Sequence, residues 1–244
     1  MNASGTVLAA ELEIGHHHQV TIGGFTFNVD TIWSSVVAGV IVLGAALYMA
    51  RRAQSGRPSK LQLAFETMVD AVEKQVKSSM GDVAPFVVPL AMTLFLYILI
   101  ANWLELIPTQ GWLAAPSGDI NFTLALGLFV VVWVHAAHIR QKGMRKYLSH
   151  YKHGVPVLAP FLNTIEELVK PFTLALRLFG NIFAGGVMLA IIALLPPYLL
   201  WAPNVLWKLI DFAVGAIQAF IFALLTILYF GFALEPEDEE APAH

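Results

Sequence analysis

Long apolar runs, each closed at both ends by a charge, divide the chain. Thr31 to Ala50 lies uncharged between Asp30 and Arg51, and Val83 to Leu104 between Asp82 and Glu105. Ile120 to Ile139 lies between Asp119 and Arg140, Leu178 to Trp207 between Arg177 and Lys208, and Phe212 to Leu234 between Asp211 and Glu235. Each run holds 20 residues or more, and a helix needs about 20 to cross roughly 30 Å of hydrocarbon. The pattern predicts an all-α integral membrane protein with five membrane helices, at about 31–50, 83–104, 120–139, 160–195 and 205–234. These make one polytopic domain, 31–234, between an N-terminal arm, 1–30, and an acidic tail, 235–244.

Three shorter patterns refine this. In the arm, Val20-Thr21-Ile22 and Phe25-Thr26-Phe27 alternate around Gly23-Gly24. This is the signature of a short β-hairpin whose turn needs φ > 0, against the alternative of a loose extended arm. After the first span, Leu61, Phe65, Met68, Val69, Val72 and Val76 recur at helical spacing, with Lys60, Glu66, Asp70, Glu73, Lys74 and Lys77 opposite. That is an amphipathic helix for the cytoplasmic membrane surface, lying on lipid or on the bundle itself, with a partner-binding helix as the alternative. From Pro160 to Leu195 the only breaker is Pro171, which leaves 36 residues, or about 54 Å of helix. Such a helix is too long to stand upright, so the fourth membrane helix is expected to kink at Pro171 or to lie strongly tilted. Asn163, Glu166, Glu167, Lys170, Thr173, Arg177, Asn181 and Ala184 repeat along it at three or four, forming one polar stripe.

Composition closes off whole classes. Apolar residues make up 57% of the 244 residues and charged ones 13%, with a mean hydropathy of +0.69. That is too apolar for a soluble enzyme or a disordered segment. The net charge of −3 gives no basic footprint for nucleic acid. The absence of Cys removes disulfides and thiolate metal sites. The first 30 residues lack a basic start, and Glu11 and Glu13 interrupt any apolar core, so no signal peptide is expected. Lys and Arg gather between spans one and two and between three and four; the 105–119 loop has none. The basic loops stay inside, which puts the N-terminus outside and the C-terminus in the cytoplasm.

The chemistry is concentrated in few residues. Arg177 lies among Leu174, Leu178, Phe179 and Ile182. A guanidinium at bilayer depth costs at least about 2.5–3.5 kcal/mol and cannot shed its proton. It either snorkels to the interface or faces an ion path. Asp211 and Gln218, seven apart, share a face of the last helix, with Gly215 between them. Asn102, Glu105, Asp119 and Asn121 collect at the outer span ends, where each alone is an ordinary polar end marker. His135 and His138, at the cytoplasmic end of the third span, are candidates for an exit path or for interfacial packing. His16-His17-His18 read as exposed polar residues of the arm, against the alternatives of a metal-binding run or a tag remnant, and His150 and His153 as solvated in a basic loop. Nothing calls for a cofactor or metal.

The residues Lys170-Pro171-Phe172-Thr173-Leu174-Ala175-Leu176-Arg177-Leu178-Phe179-Gly180-Asn181-Ile182-Phe183-Ala184-Gly185 resemble the signature of subunit a of F-type ATP synthase. Asn102-Trp103-Leu104-Glu105-Leu106-Ile107-Pro108, Asp119-Ile120-Asn121-Phe122-Thr123 and Gln218-Ala219-Phe220-Ile221-Phe222 are similar to further motifs, in the family's order. The resemblance implies a membrane stator beside a ring of c subunits, held by the peripheral-stalk b subunit and coupled to the F1 head in a bacterial plasma membrane. It implies two half-channels, no catalytic site in this chain, and an essential arginine at Arg177 facing the c-ring carboxylate. Asn181, Asp211, Gln218, Glu105, Asp119, Asn102 and Asn121 would line the proton path; His135, His138, Glu166, Glu167, Lys170 and Thr173 could lie along its exit. The chain departs from many relatives in having Gly186 where they carry an acid and Asp211 where they carry His or Glu, so Asp211 would take the relay role of both. The rival reading is a stand-alone secondary transporter, which would usually show an internal repeat that this sequence lacks.

Overall fold

A computed structural model describes residues 19–22, 24–53, 58–80, 85–104, 115–150 and 159–234. Two strands, β1 (Gln19–Ile22) and β2 (Phe25–Asn28), pair antiparallel with Gln19 opposite Asn28 and Ile22 opposite Phe25. The turn between them holds Gly24 at φ 87°, the left-handed conformation that the sequence pattern requires there. Six helices follow: α1 (Val29–Arg52), α2 (Lys60–Met80), α3 (Val87–Leu104), α4 (Ile120–His150), α5 (Ala159–Ile192) and α6 (Trp201–Leu234). All but α2 contain a stretch long and apolar enough to cross a membrane, so five such helices are present among the described residues. The fold is therefore an all-α multi-pass membrane bundle with a small hairpin and one amphipathic helix.

Local chemistry explains the boundaries. α1 begins with Asp30 and ends with Arg51 and Arg52, each sign matched to its end of the helix dipole. Asp119 caps α4, its Oδ1 accepting the Asn121 N–H at 2.8 Å. α4 runs past the apolar stretch to His150, where the charge pattern ends the span near Ile139. It does so in two pieces, because Gly143 at φ 81° breaks the helical backbone. Pro160, in the first turn of α5, has no intrahelical partner to lose. Pro171 stands inside α5, which continues through it to Ile192.

α3 is apolar on every side, and it is the central strut, packed on α6, α1 and α2. α4 lies on α5 and also meets α6. Ile98, Val130, Leu174, Leu178, Phe222 and Phe230 form the shared core. The α4–α5 crossing is very close: a Cβ on Gly127 would stand 2.7 Å from the Pro171 carbonyl oxygen. α2 turns Val76 fully inward and half-buries Phe65, Met68, Val69 and Val72, whereas Leu61, the first residue of the expected apolar face, is exposed. On its outer face the Lys77 ammonium, 2.6 Å from Glu73, holds that carboxyl below its ordinary range.

Candidate functional site

The polar residues fall into three groups. The first is on α5. Pro171, Leu174, Ala175, Leu178, Ile182 and Gly185 point into the bundle. The opposite face, with Val169, Phe172, Thr173, Leu176, Arg177, Phe183 and Ala184, is exposed. Arg177 therefore projects away from this chain's core, and among the described residues no ion pair reaches it. Thr173, one turn away, spends its hydroxyl on the Val169 carbonyl at 2.9 Å. Glu166, Glu167 and Lys170 follow the same helix, but their side chains lie outside the described residues, as does that of Asn163.

The second group is carried by α5 and α6, which meet at Gly185 and Asp211. The half-buried Asp211 carboxylate packs against Gly185: a Cβ there would sit 3.3 Å from Asp211 Oδ1. The two helices are thus adjacent at this acid, with Gly185 rather than its neighbour Gly186 against the carboxylate. Gln218 is 7% exposed, and its Nε2 is buried with no hydrogen-bond partner. Asn181 Nδ2 and Trp207 Nε1 are in the same condition. A buried donor left unpaired costs about 1–3 kcal/mol, and such groups in native proteins are ordinarily satisfied by ordered water. Trp207 escapes sequence reasoning because a Trp in an apolar run looks like packing; its spacing of four from Asp211 is the signal that could have found it.

The third group is a closed network at the far ends of α1, α3 and α4. Asn102 accepts a hydrogen bond from Ser117 Oγ at 2.5 Å and donates to the Gly215 carbonyl at 3.3 Å. Gly215 leaves room for this contact, since a Cβ there would lie 3.3 Å from Asn102 Cβ, closer than most real Cβ contacts. Next to it, the Trp103 indole donates to the Phe212 carbonyl at 3.3 Å and stacks on the Phe212 ring at 4.3 Å. Asp119, 6% exposed, accepts from Asn28 Nδ2 at 2.6 Å, Thr31 Oγ1 at 3.2 Å and the Asn121 N–H. The Asn121 side chain is exposed. Glu105 lies outside the described residues, as do His16–His18, His153 and the acidic tail.

His135 and His138 lie on α4, which packs on α5. His135 Nδ1 is 2.8 Å from the Val131 carbonyl, and His138 is 9% exposed. Among the described residues no group of three or more His, Cys, Asp or Glu is placed to hold a metal ion.

Similar proteins supply independent information. The model of the family ATP synthase A chain matches residues 32–231. ATP synthase subunit a of Acidothermus cellulolyticus is 54% identical over 230 residues, covering 93% of this chain and 84% of that protein. The subunit a of Mycobacterium bovis is 49% identical over 246 residues, covering 96% of this chain and 98% of its own length. That of Vibrio cholerae is 35% identical over 231 residues, 86% of each chain.

Proposed function

The chain belongs to the ATP synthase A chain family, and on that premise we propose that it is the proton-translocating stator of a bacterial plasma-membrane ATP synthase. The observation that carries this is Arg177, held on the uncovered face of α5 within an apolar stretch. A guanidinium at that depth needs an anionic or wet partner, and among the described residues no carboxylate pairs with it. The partner is a carboxylate of the c-ring, which fits against the exposed face from Val169 to Ala184. A neutral carboxylic acid can pass through lipid, whereas a carboxylate cannot. Arg177 favours the ionised form as each c subunit passes, so the proton leaves on one side. As a fixed cation it also bars direct leakage between the two half-channels.

Asn181, Asp211 and Gln218 line the deep part of the outer half-channel, between α5 and α6. Asp211 is its titratable relay, given room by Gly185. Asn102, Glu105, Asp119 and Asn121 form the outer mouth, with Asn102 and Asp119 also binding its walls together. His135, His138, Glu166, Glu167, Lys170 and Thr173 border the cytoplasmic exit. The basic loops face the cytoplasm and the hairpin faces outward. The b subunit and F1 head are further partners, and the chemistry of ATP formation takes place outside this chain.

The test is substitution at Arg177 in the assembled complex. Arg177→Ala abolishes ATP-driven proton pumping while the complex still assembles. Arg177→Lys fails nearly as badly, because an ammonium lacks the planar fork and titrates more readily. Normal pumping by the Lys variant overturns the assigned role.

A further inference from the structure

We propose that Trp207 is a positioning residue of the outer half-channel, its indole N–H fixing a water molecule that passes protons to the Asp211 carboxylate. This rests on the stator reading above. Trp207 stands four residues before Asp211 and so on the same face of α6, one turn nearer the outer end of that helix. Asp211 is the residue of that face that meets Gly185 of α5.

Two observations separate Trp207 from ordinary packing. Tryptophans at membrane interfaces usually direct the indole N–H to the headgroup region. Trp201, the first residue of α6, is 71% exposed and suits that role. Trp207 lies six residues further along, about 9 Å deeper, and its Nε1 is buried without a partner. A phenylalanine would fill the same space without burying a donor. Secondly, the unpaired donor is not isolated. Gln218 Nε2, on the same face of α6, and Asn181 Nδ2, on α5, are also buried and unpaired. The Asp211 carboxylate lies between Trp207 and Gln218 along that face, beside a glycine that leaves space. A buried water needs two to four polar partners. The indole N–H and the carboxylate of Asp211, one turn apart, supply a donor and an acceptor. The water they hold can take a proton from the outer side and give one to the carboxylate, which leaves it a water that turns to accept the next proton.

The experiment uses the complete complex in vesicles, with conductance normalised to assembled complex. Trp207→Phe keeps the ring and deletes the donor; passive proton conductance is expected to fall about 3–10-fold, the equivalent of one positioned hydrogen bond. Trp207→His restores a donor that titrates between about pH 5 and 8. It is expected to regain at least half of the lost conductance and to make conductance follow the outer pH across that range. The titratable groups of α6 near it are Asp211 and Lys208, both present in every variant. Wild-type conductance in the Phe variant overturns the proposal. So does a His variant that loses as much as Phe with an unaltered outer-pH profile, because packing alone then explains both. Should the Phe variant not assemble, the outer-pH profile of the His variant decides in the same way. Arg177→Ala in the same vesicles distinguishes the two levels. If it abolishes pumping while Trp207 variants behave as wild type, only the role of Trp207 falls; if it pumps normally, the stator reading falls.

Discussion

Two polar regions lie within this bundle, and they are built on opposite principles. In the outer cluster most of the described polar atoms meet protein: Ser117 to Asn102, Asn102 to Gly215, and Asn28, Thr31 and Asn121 to Asp119, with Ser34 Oγ on α1 a buried exception. On α5 and α6, which meet at Gly185 and Asp211, they do not: Asn181, Gln218 and Trp207 each bury a donor with no partner among the described residues. A saturated network holds helices in register and has little capacity left for a moving proton. An unsaturated one is poorly suited to holding helices and well suited to holding water. Burial alone does not distinguish them, since Asn102 at 5% and Gln218 at 7% exposure are equally enclosed. The hydrogen-bond ledger does.

The contrast breaks most sharply at Asp211. Asp211→Asn is expected to slow passive proton conductance of the membrane sector by about 10²–10⁴-fold, the usual loss when a positioned acid–base group is removed. The amide fits the same space beside Gly185, so assembly is retained. Glu105→Gln is expected to lose far less, because in the proposed half-channel it stands at the outer end, where bulk water is at hand, and no second acid accompanies Asp211 among the described residues. Equal conductance in the two variants, or a larger loss at Glu105, would mean that water alone carries the proton past Asp211.

Gln218→Leu sharpens the same comparison with two readouts of opposite sign. Conductance is expected to drop about tenfold, because a wet groove loses one anchoring amide. Thermal stability of the detergent-solubilised complex is expected to hold or to rise, because a buried unpaired donor is replaced by an apolar side chain of similar size. A stability loss with intact conductance would place Gln218 in the saturated class.

Much of this architecture was legible in the order of residues. The charges at Asp30, Arg51 and Asp119 stand at helix ends because lipid rejects them, whereas Arg140 lies inside α4 and Asp211 inside α6. Gly23-Gly24 foretold a hairpin because few residues tolerate the turn. The stripe through Thr173 and Arg177 foretold one uncovered face of α5, which is how the helix is exposed. What could not be read was which polar groups have partners. Asn28 and Asp119 are 91 residues apart, and Asn102 and Gly215 are 113 apart. Such pairings depend on how the helices cross. They in turn depend on contacts such as Gly127 against Pro171, which no local pattern announces. The continuation of α4 to His150 was missed for a related reason. Basic residues end a membrane span, but they are good helix formers and need not end the helix.

The smallest effect tests the saturated side. Asp119 accepts one hydrogen bond from a backbone N–H that every variant keeps, so its anchoring to the hairpin can be probed from the donor. Asn28→Ala removes the 2.6 Å contact from Nδ2 and leaves those from Thr31 and Asn121 in place. The carboxylate keeps two donors, so it is not stranded and does not suffer the full penalty of a buried unpaired charge. The expected cost is that of one hydrogen bond to a charged group, about 1.5–3 kcal/mol at most, and toward the lower end because part of Asn28 is accessible to water. It should appear as a lower thermal midpoint of the solubilised complex, with proton conductance per assembled complex unchanged. Asp119→Ala, which deletes every one of these contacts and the cap of α4, should lower the midpoint further. If Asn28→Ala instead slows conductance without altering stability, then Asp119 belongs with the groove, and the hairpin shapes the outer entry of the proton rather than the register of the helices.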